Sequence, residues 1–228
     1  MRVFDKSLPS LVGMVALSIA VCAVGRPALA ADVNLTFIAQ DTAEPLTGVV
    51  VMVEGGSIPA PVASSVAQKD RAFVPHVLVV PTGSPVSFPN NDNTQHHVYS
   101  FSPAKPFNIE LYAGKPEAPI VFDKAGIVEL GCNIHDQMQG FIVVTDSDYV
   151  SRSGESGQVH LQIPDRRLAE GQAVTVKAWH PRLKDNTTSQ TFTLSGPAPI
   201  ARTIALVVSP KPPATGELQG LQDRFRNL

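Results

Sequence analysis

The sequence predicts an all-β protein built as a sandwich, and three observations carry that prediction. Short runs of β-branched and aromatic residues recur along the chain, several alternating strictly between polar and apolar, as in Val33-Asn34-Leu35-Thr36-Phe37-Ile38. Twenty prolines and sixteen glycines are scattered between these runs and supply the turns. No stretch longer than a turn or two keeps a helical period.

Taken in order, residues 33–38 read as one strand, 41–46 as a turn and 47–53 as a β-branched second strand. Residues 55–63 are a Gly/Pro/Ala loop. Strands follow at 73–80 and 86–88, separated by the turn Pro81-Thr82-Gly83-Ser84-Pro85. The polar loop Asn90-Asn91-Asp92-Asn93 precedes a strand over 96–101. Residues 103–119 read as surface loop with a short extended piece at 107–111. Strands at 120–122 and 127–130 bracket the turn Asp123-Lys124-Ala125-Gly126, and Gly140-Phe141-Ile142-Val143-Val144-Thr145 is a buried strand. These elements predict one domain over 59–146, an all-β sandwich.

Residues 147–157 are rich in Ser, Asp and Gly, the composition of a linker. Beyond it, strands at 159–163, 173–179, 190–194 and 201–208 make a second small β module over 158–209. Four strands alone bury little, so this module is expected to recruit the N-terminal strands of residues 32–58 or to pack on the first domain. The Pro-rich, then polar stretch 210–228 reads as a mobile tail ending in a short helix over 218–225.

The chain's 228 residues, of which 43% are hydrophobic, suit one or two packed domains. A formal net charge of −2 with no basic stripe argues against a nucleic-acid partner. Residues 1–31 read as an export signal: Arg2 and Lys6 at the start, an apolar run over 11–24, then Arg26-Pro27 and Ala28-Leu29-Ala30-Ala31. Cleavage is expected after Ala30 or Ala31. The apolar run is shorter than the ~20 residues that span a bilayer, so no membrane span is expected after cleavage.

Of the two cysteines, Cys22 lies in this leader, and Val21 before it fits poorly the small residue that a lipid-modified cysteine prefers. Cys132 is left without an intrachain disulfide partner, so it is a buried thiol, an intermolecular crosslink or a metal ligand. Its neighbours favour the last. His135 and Met138 follow at intervals of three, giving a thiolate, an imidazole and a thioether within seven residues. Soft donors of this kind select copper(I), and two imidazoles and a thiolate with a weak axial thioether form a blue-copper site. The second imidazole would come from His96-His97, some 36 residues upstream. Neighbouring strand residues point to opposite faces, so only one of the two fits an ordinary ligand position. Zinc also binds thiolate and imidazole.

Two linked segments resemble the cupredoxins. Phe88-Pro89-Asn90-Asn91 leading to His96 and Val98-Tyr99-Ser100-Phe101 is similar to their first-histidine region, where in plastocyanin and amicyanin an Asn precedes the ligand by six, as Asn90 precedes His96. Phe122-Asp123-Lys124-Ala125-Gly126 leading to Cys132, His135 and Met138 is similar to their second region, with amicyanin's spacing. The resemblance spans about residues 72–146. The whole chain also looks like exported cupredoxin-domain proteins of the methylamine utilization type. It implies a cupredoxin-like Greek-key β-sandwich holding one type 1 copper ion on His96, Cys132, His135 and axial Met138.

Two positions depart from the family. His97 stands where Asn is usual, either bonding the cysteine loop or replacing His96 as ligand, and Asp136 replaces amicyanin's loop proline. Asn90, Asn91 and Asp92 are the candidates to hold the ligand imidazoles from behind. His76 reads as a strand histidine with a satisfied hydrogen bond, His160 and His180 as surface or turn residues, Trp179 as core, and Glu110 and Glu129 as solvated strand residues.

The function expected is a periplasmic electron carrier that serves redox partner proteins and is not a catalyst. The alternative is an exported copper-binding or delivery protein with no carrier role.

Overall fold

The computed structural model describes residues 30–116, 118–163, 168, 172–196 and 199–211. The expected leader, except its last two residues, and the tail beyond residue 211 lie outside the described residues. The chain is all-β, with seventeen strands among the described residues. No described helix is long and apolar enough to cross a membrane.

The N-terminal strand β1 (Ala31–Ala39) buries every second residue, Ala31, Val33, Leu35, Phe37 and Ala39. It pairs antiparallel with β14 (Gln158–Ile163) and parallel with β17 (Ile200–Leu206). Facing this sheet across a shared core is a second one of four strands. In it, β2 (Val50–Val53) lies between β13 (Val150–Arg152) and β15 (Val174–Trp179), and β16 (Gln190–Leu194) closes the edge. The C-terminal module thus takes the N-terminal strands into its own sheets.

Residues 147–157, expected as a linker, carry β13. Two of their serines are buried and answer backbone groups of the N-terminal strands. Ser147 Oγ donates to Val53 O (2.6 Å); Ser153 Oγ donates to Leu46 O (2.5 Å) and accepts from Val49 N (2.9 Å). A Ser-rich composition suits solvent or buried backbone equally well, and only the partners decide between them.

The second sandwich holds the segment 59–146. Its larger sheet runs β6 (Val77–Pro81), β12 (Gln139–Thr145), β11 (Gly126–Gly131), β8 (His96–Ser100), β9 (Phe107–Tyr112). Its smaller sheet runs β10 (Ile120–Phe122), β7 (Ser84–Ser87), β3 (Ser64–Ser65), with the hairpin β4 (Ala67–Lys69) and β5 (Ala72–Val74) beside them. The strand expected over 73–80 is broken at Pro75, which has no N–H to give a ladder. Phe73, Phe88, Phe122, Leu130 and Ile142 fill the core between the sheets.

Strand β12 joins the two bodies. Ile142 and Val144 face the core of the second sandwich, while Phe141 and Val143 belong to the core of the first. The rings of Phe141 and Trp179 meet edge to face with centroids 5.0 Å apart. Burial on both faces explains why this strand reads as an unbroken apolar run instead of alternating. Arg152 crosses the same boundary, its Nη2 donating to Val77 O at 2.9 Å.

His180 lies at a turn, one of the two positions expected for it, but not at the surface. It follows β15 and is buried, and its Nδ1 accepts from Arg182 N. His160 is exposed on β14, bonded to Asn34. His76 is exposed, with Nδ1 3.0 Å from Gln139 O. Trp179 is fully buried.

Candidate metal centre

The site lies at one end of the second sandwich, where β8 begins and β11 gives way to a seven-residue bend before β12. Cys132 follows the last residue of β11, so the ladder with β12, from Gly126–Val144 to Gly131–Gln139, fixes its backbone. The bend is closed locally by Met138 N donating to His135 O at 2.9 Å. Both ends of the bend are therefore held by one antiparallel pair, and a short loop cannot stray from its ends.

One ligand atom each from His96, Cys132 and His135 fall within 4.8 Å of one another. His96 and Cys132 are buried and His135 is half-buried at the protein surface. The Nδ1 atoms of His96 and His135 are buried with no hydrogen-bond partner. A buried polar atom without a partner costs about 1–3 kcal/mol unless something satisfies it. A cation held between these two rings and the thiol would give both nitrogens the partner they lack. Met138 is buried in the same core cluster as Cys132, and both line one shallow cavity with Tyr99, Asn133 and Asp136. Thiolate, two imidazoles and a nearby thioether suit copper better than zinc, which is seldom served by a thioether.

Of the adjacent histidines, His96 joins Cys132 and His135, its ring centroid 5.0 Å from that of His135. His97 is also buried but faces Tyr99, ring centroids 5.4 Å apart, and its Nδ1 has no hydrogen-bond partner. The strand alternation behind this split holds although the β8–β9 register shifts between His96 and Val98.

The back of His96 is held by Asp92, whose Oδ2 lies 2.8 Å from its Nε2. The same carboxylate accepts the backbone amides of Asp70 and Arg71 at 2.7 and 3.0 Å. Arg71's amide first, then His96 and the Asp70 amide, hold the Asp92 carboxyl below the usual carboxylate range. With Nε2 committed to Asp92, Nδ1 is the nitrogen left to face the cluster.

Asn90 shapes the loop without touching the histidine. Its Nδ2 donates to Thr94 O and Tyr112 O, its Oδ1 accepts from Asp92 N, and its own amide donates to Gly114 O. Tyr112, pushed up to about 12 by burial, donates to Phe88 O at 2.6 Å beneath this loop. Asn91 is exposed. Sequence reasoning offered all three polar residues equally; Tyr112 and the Asp70–Arg71 turn it missed, because nothing local ties them to His96. Glu110 and Glu129 lie outside the cluster, bonded to Asn108 and Gln139.

No family model matches the chain, and no curated protein matches it. Solved structures do resemble it. A purple cupredoxin from Nitrosopumilus maritimus is 20% identical and covers 36% of this chain and 99% of its own, with a TM-score of 0.32. A single-site mutant of amicyanin, in its Cu(I) form, is 18% identical over 42% of this chain and 98% of its own, TM-score 0.34. A Cu-containing nitrite reductase from Thermus scotoductus SA-01 is 24% identical over 49% of this chain; the match spans 28% of that enzyme, TM-score 0.35.

Proposed function

We propose that this chain is a periplasmic type 1 (blue) copper electron-transfer protein, its copper held by His96 Nδ1, Cys132 Sγ and His135 Nδ1 with Met138 as the axial donor. The observation that carries the reading is the meeting of one thiol with two buried imidazole nitrogens that have no other partner. Bound copper would supply one-electron cycling between Cu(I) and Cu(II).

The chain's own residues prepare for that chemistry. His96, Cys132 and Met138 are buried, which keeps bulk water off three of the four donors. His96 is locked by Asp92, and Cys132 by the β11–β12 ladder, so the donors are preorganised whichever oxidation state is present. His135 is the ligand nearest solvent and is flanked by the exposed Asn133, Ile134 and Asp136. Its ring is the proposed contact with periplasmic redox partner proteins. Removal of the N-terminal leader delivers the protein to that compartment, and N-terminal sequencing of periplasmic protein beginning at Ala31 or Asp32 checks it.

The test is spectroscopic. Copper(II)-loaded mature protein is expected to show an intense visible thiolate charge-transfer band and narrow copper hyperfine splitting, both lost in Cys132→Ser. A colourless or simple tetragonal spectrum would sink the proposal. The role is that of a carrier, so steady-state turnover of amines or nitrogen oxides by the isolated protein would overturn it equally.

A further inference from the structure

Beside the ligand cluster runs a row of three rings to which the copper reading gives no task. His97, Tyr99 and Phe101 occupy alternate positions along β8 and just past its end, so they share one face of the sheet. Their centroids are 5.4 and 5.1 Å apart, tilted at 44° and 48°, within the range of favourable aromatic contact. The row runs from buried to open. His97 is 5% exposed, Tyr99 is half-buried, and Phe101 at 86% is the most exposed large hydrophobic residue described.

The middle ring is seated on the cysteine strand. Tyr99 pairs in register with Gly131, the residue before Cys132. A Cβ at Gly131 would stand 2.6 Å from the Tyr99 Cζ and 2.7 Å from its hydroxyl, so the absent side chain is what lets the ring lie there. Tyr99 borders the cavity that Cys132 and Met138 line, and also a second cavity bordered by Phe101.

A lone surface phenylalanine needs no explanation. A solvent-exposed ring in contact with another that rests on the backbone of the metal-site thiol is different. Electron tunnelling decays more slowly through bonds and close contacts than through water, and this row is a contact path from solvent to Cys132.

We propose that Tyr99 and Phe101 form a lateral electron port, separate from the His135 edge and used by a one-electron redox protein that meets the chain at Phe101. The proposal rests on the carrier reading above. One electron passes between the metal centre and the partner, so one is oxidised as the other is reduced. While the metal centre supplies the electron, the rings bridge the gap without being oxidised or deprotonated, and no bond is made or broken. With no metal to supply it, the hole stops at Tyr99, which gives up one electron and its hydroxyl proton.

The test tethers a photo-oxidisable ruthenium polypyridyl to Pro103→Cys, an exposed position two residues from Phe101. In the copper-loaded protein, the flash-induced electron-transfer rate is expected to fall several-fold in Phe101→Leu and in Tyr99→Leu. It should hold in Tyr99→Phe, which keeps the ring, while the charge-transfer band stays in place in all three. A second arm needs no metal: in Pro103→Cys/Cys132→Ser protein the injected hole should be trapped as a tyrosyl radical, read by electron paramagnetic resonance. That signal should vanish in Tyr99→Phe and survive in Tyr112→Phe. Unchanged rates in both leucine variants, or a radical indifferent to Tyr99→Phe, overturn the port. Absence of a reversible one-electron couple would sink the carrier reading instead, and the radical arm would still decide the ring path.

Discussion

At the scale of single residues, the candidate site depends on what stands behind the clustered side chains as much as on the cluster itself. Asp92 meets His96 on one side and two turn amides on the other, so it fixes a ring and a backbone together. Replacing it with Asn keeps the shape but removes the charge and one acceptor. We expect Asp92→Asn to weaken copper(I) binding by roughly 10–100-fold and to raise the reduction potential, since a less basic imidazole favours the lower oxidation state. Competition with a copper(I) chelator and protein-film voltammetry measure the two. A second residue-scale effect belongs to His180, outside the His96–Cys132–His135 cluster. Burial, aided by Arg182 and His76 and opposed by a backbone contact at Thr47, pulls His180 from 6.5 to about 4. The folded protein therefore takes up this proton only near pH 4, whereas the unfolded chain does so near 6.5. Between those values the unfolded state holds more protons, so stability falls as pH is lowered through the window and is unaffected by this group above it. Chemical denaturation of metal-free protein across that range should show the loss, and His180→Gln should flatten it.

At the scale of elements, two glycines, Gly131 before the bend and Gly140 after it, let neighbouring side chains come close. Gly140 is the second residue of β12, and a Cβ there would lie 2.8 Å from the Cβ of Phe73, a side chain only 2% exposed. Neither can move aside cheaply. Gly140→Ala should cost about 1–3 kcal/mol, the usual penalty for overfilling a packed core, and denaturant titration reads it directly. The same elements explain where periodicity served and where it failed. β1 and β14 alternate cleanly because each has one wet face, and their sequences announce it. β13 has three residues, Val150-Ser151-Arg152, with no period to detect, and exists because β2 offers an unpaired edge. Its environment, supplied by residues about a hundred positions away, made a strand from a linker-like composition.

At the scale of the whole molecule, β12 makes the two sandwiches thermodynamic neighbours. Phe141 is fully buried against Trp179 and Val143 lies in the same core, so neither sandwich keeps its buried surface if the other unfolds. Phe141→Ala should cost about 3–5 kcal/mol, and calorimetry should give one cooperative transition that shifts as a unit. Two transitions, of which the variant moves only one, would refute the shared strand. The sequence by itself determined the donor types, their spacing within one bend and the all-β class, because these are written in residues close together along the chain. Only the tertiary structure decided that His96 and not His97 meets Cys132, that Asp92 and not its neighbours holds that ring, and that Val150–Arg152, inside the linker-like stretch, pairs as a strand. Each of those depends on a partner far away in sequence, and hydrogen bonds and core contacts between distant segments leave no local pattern to read.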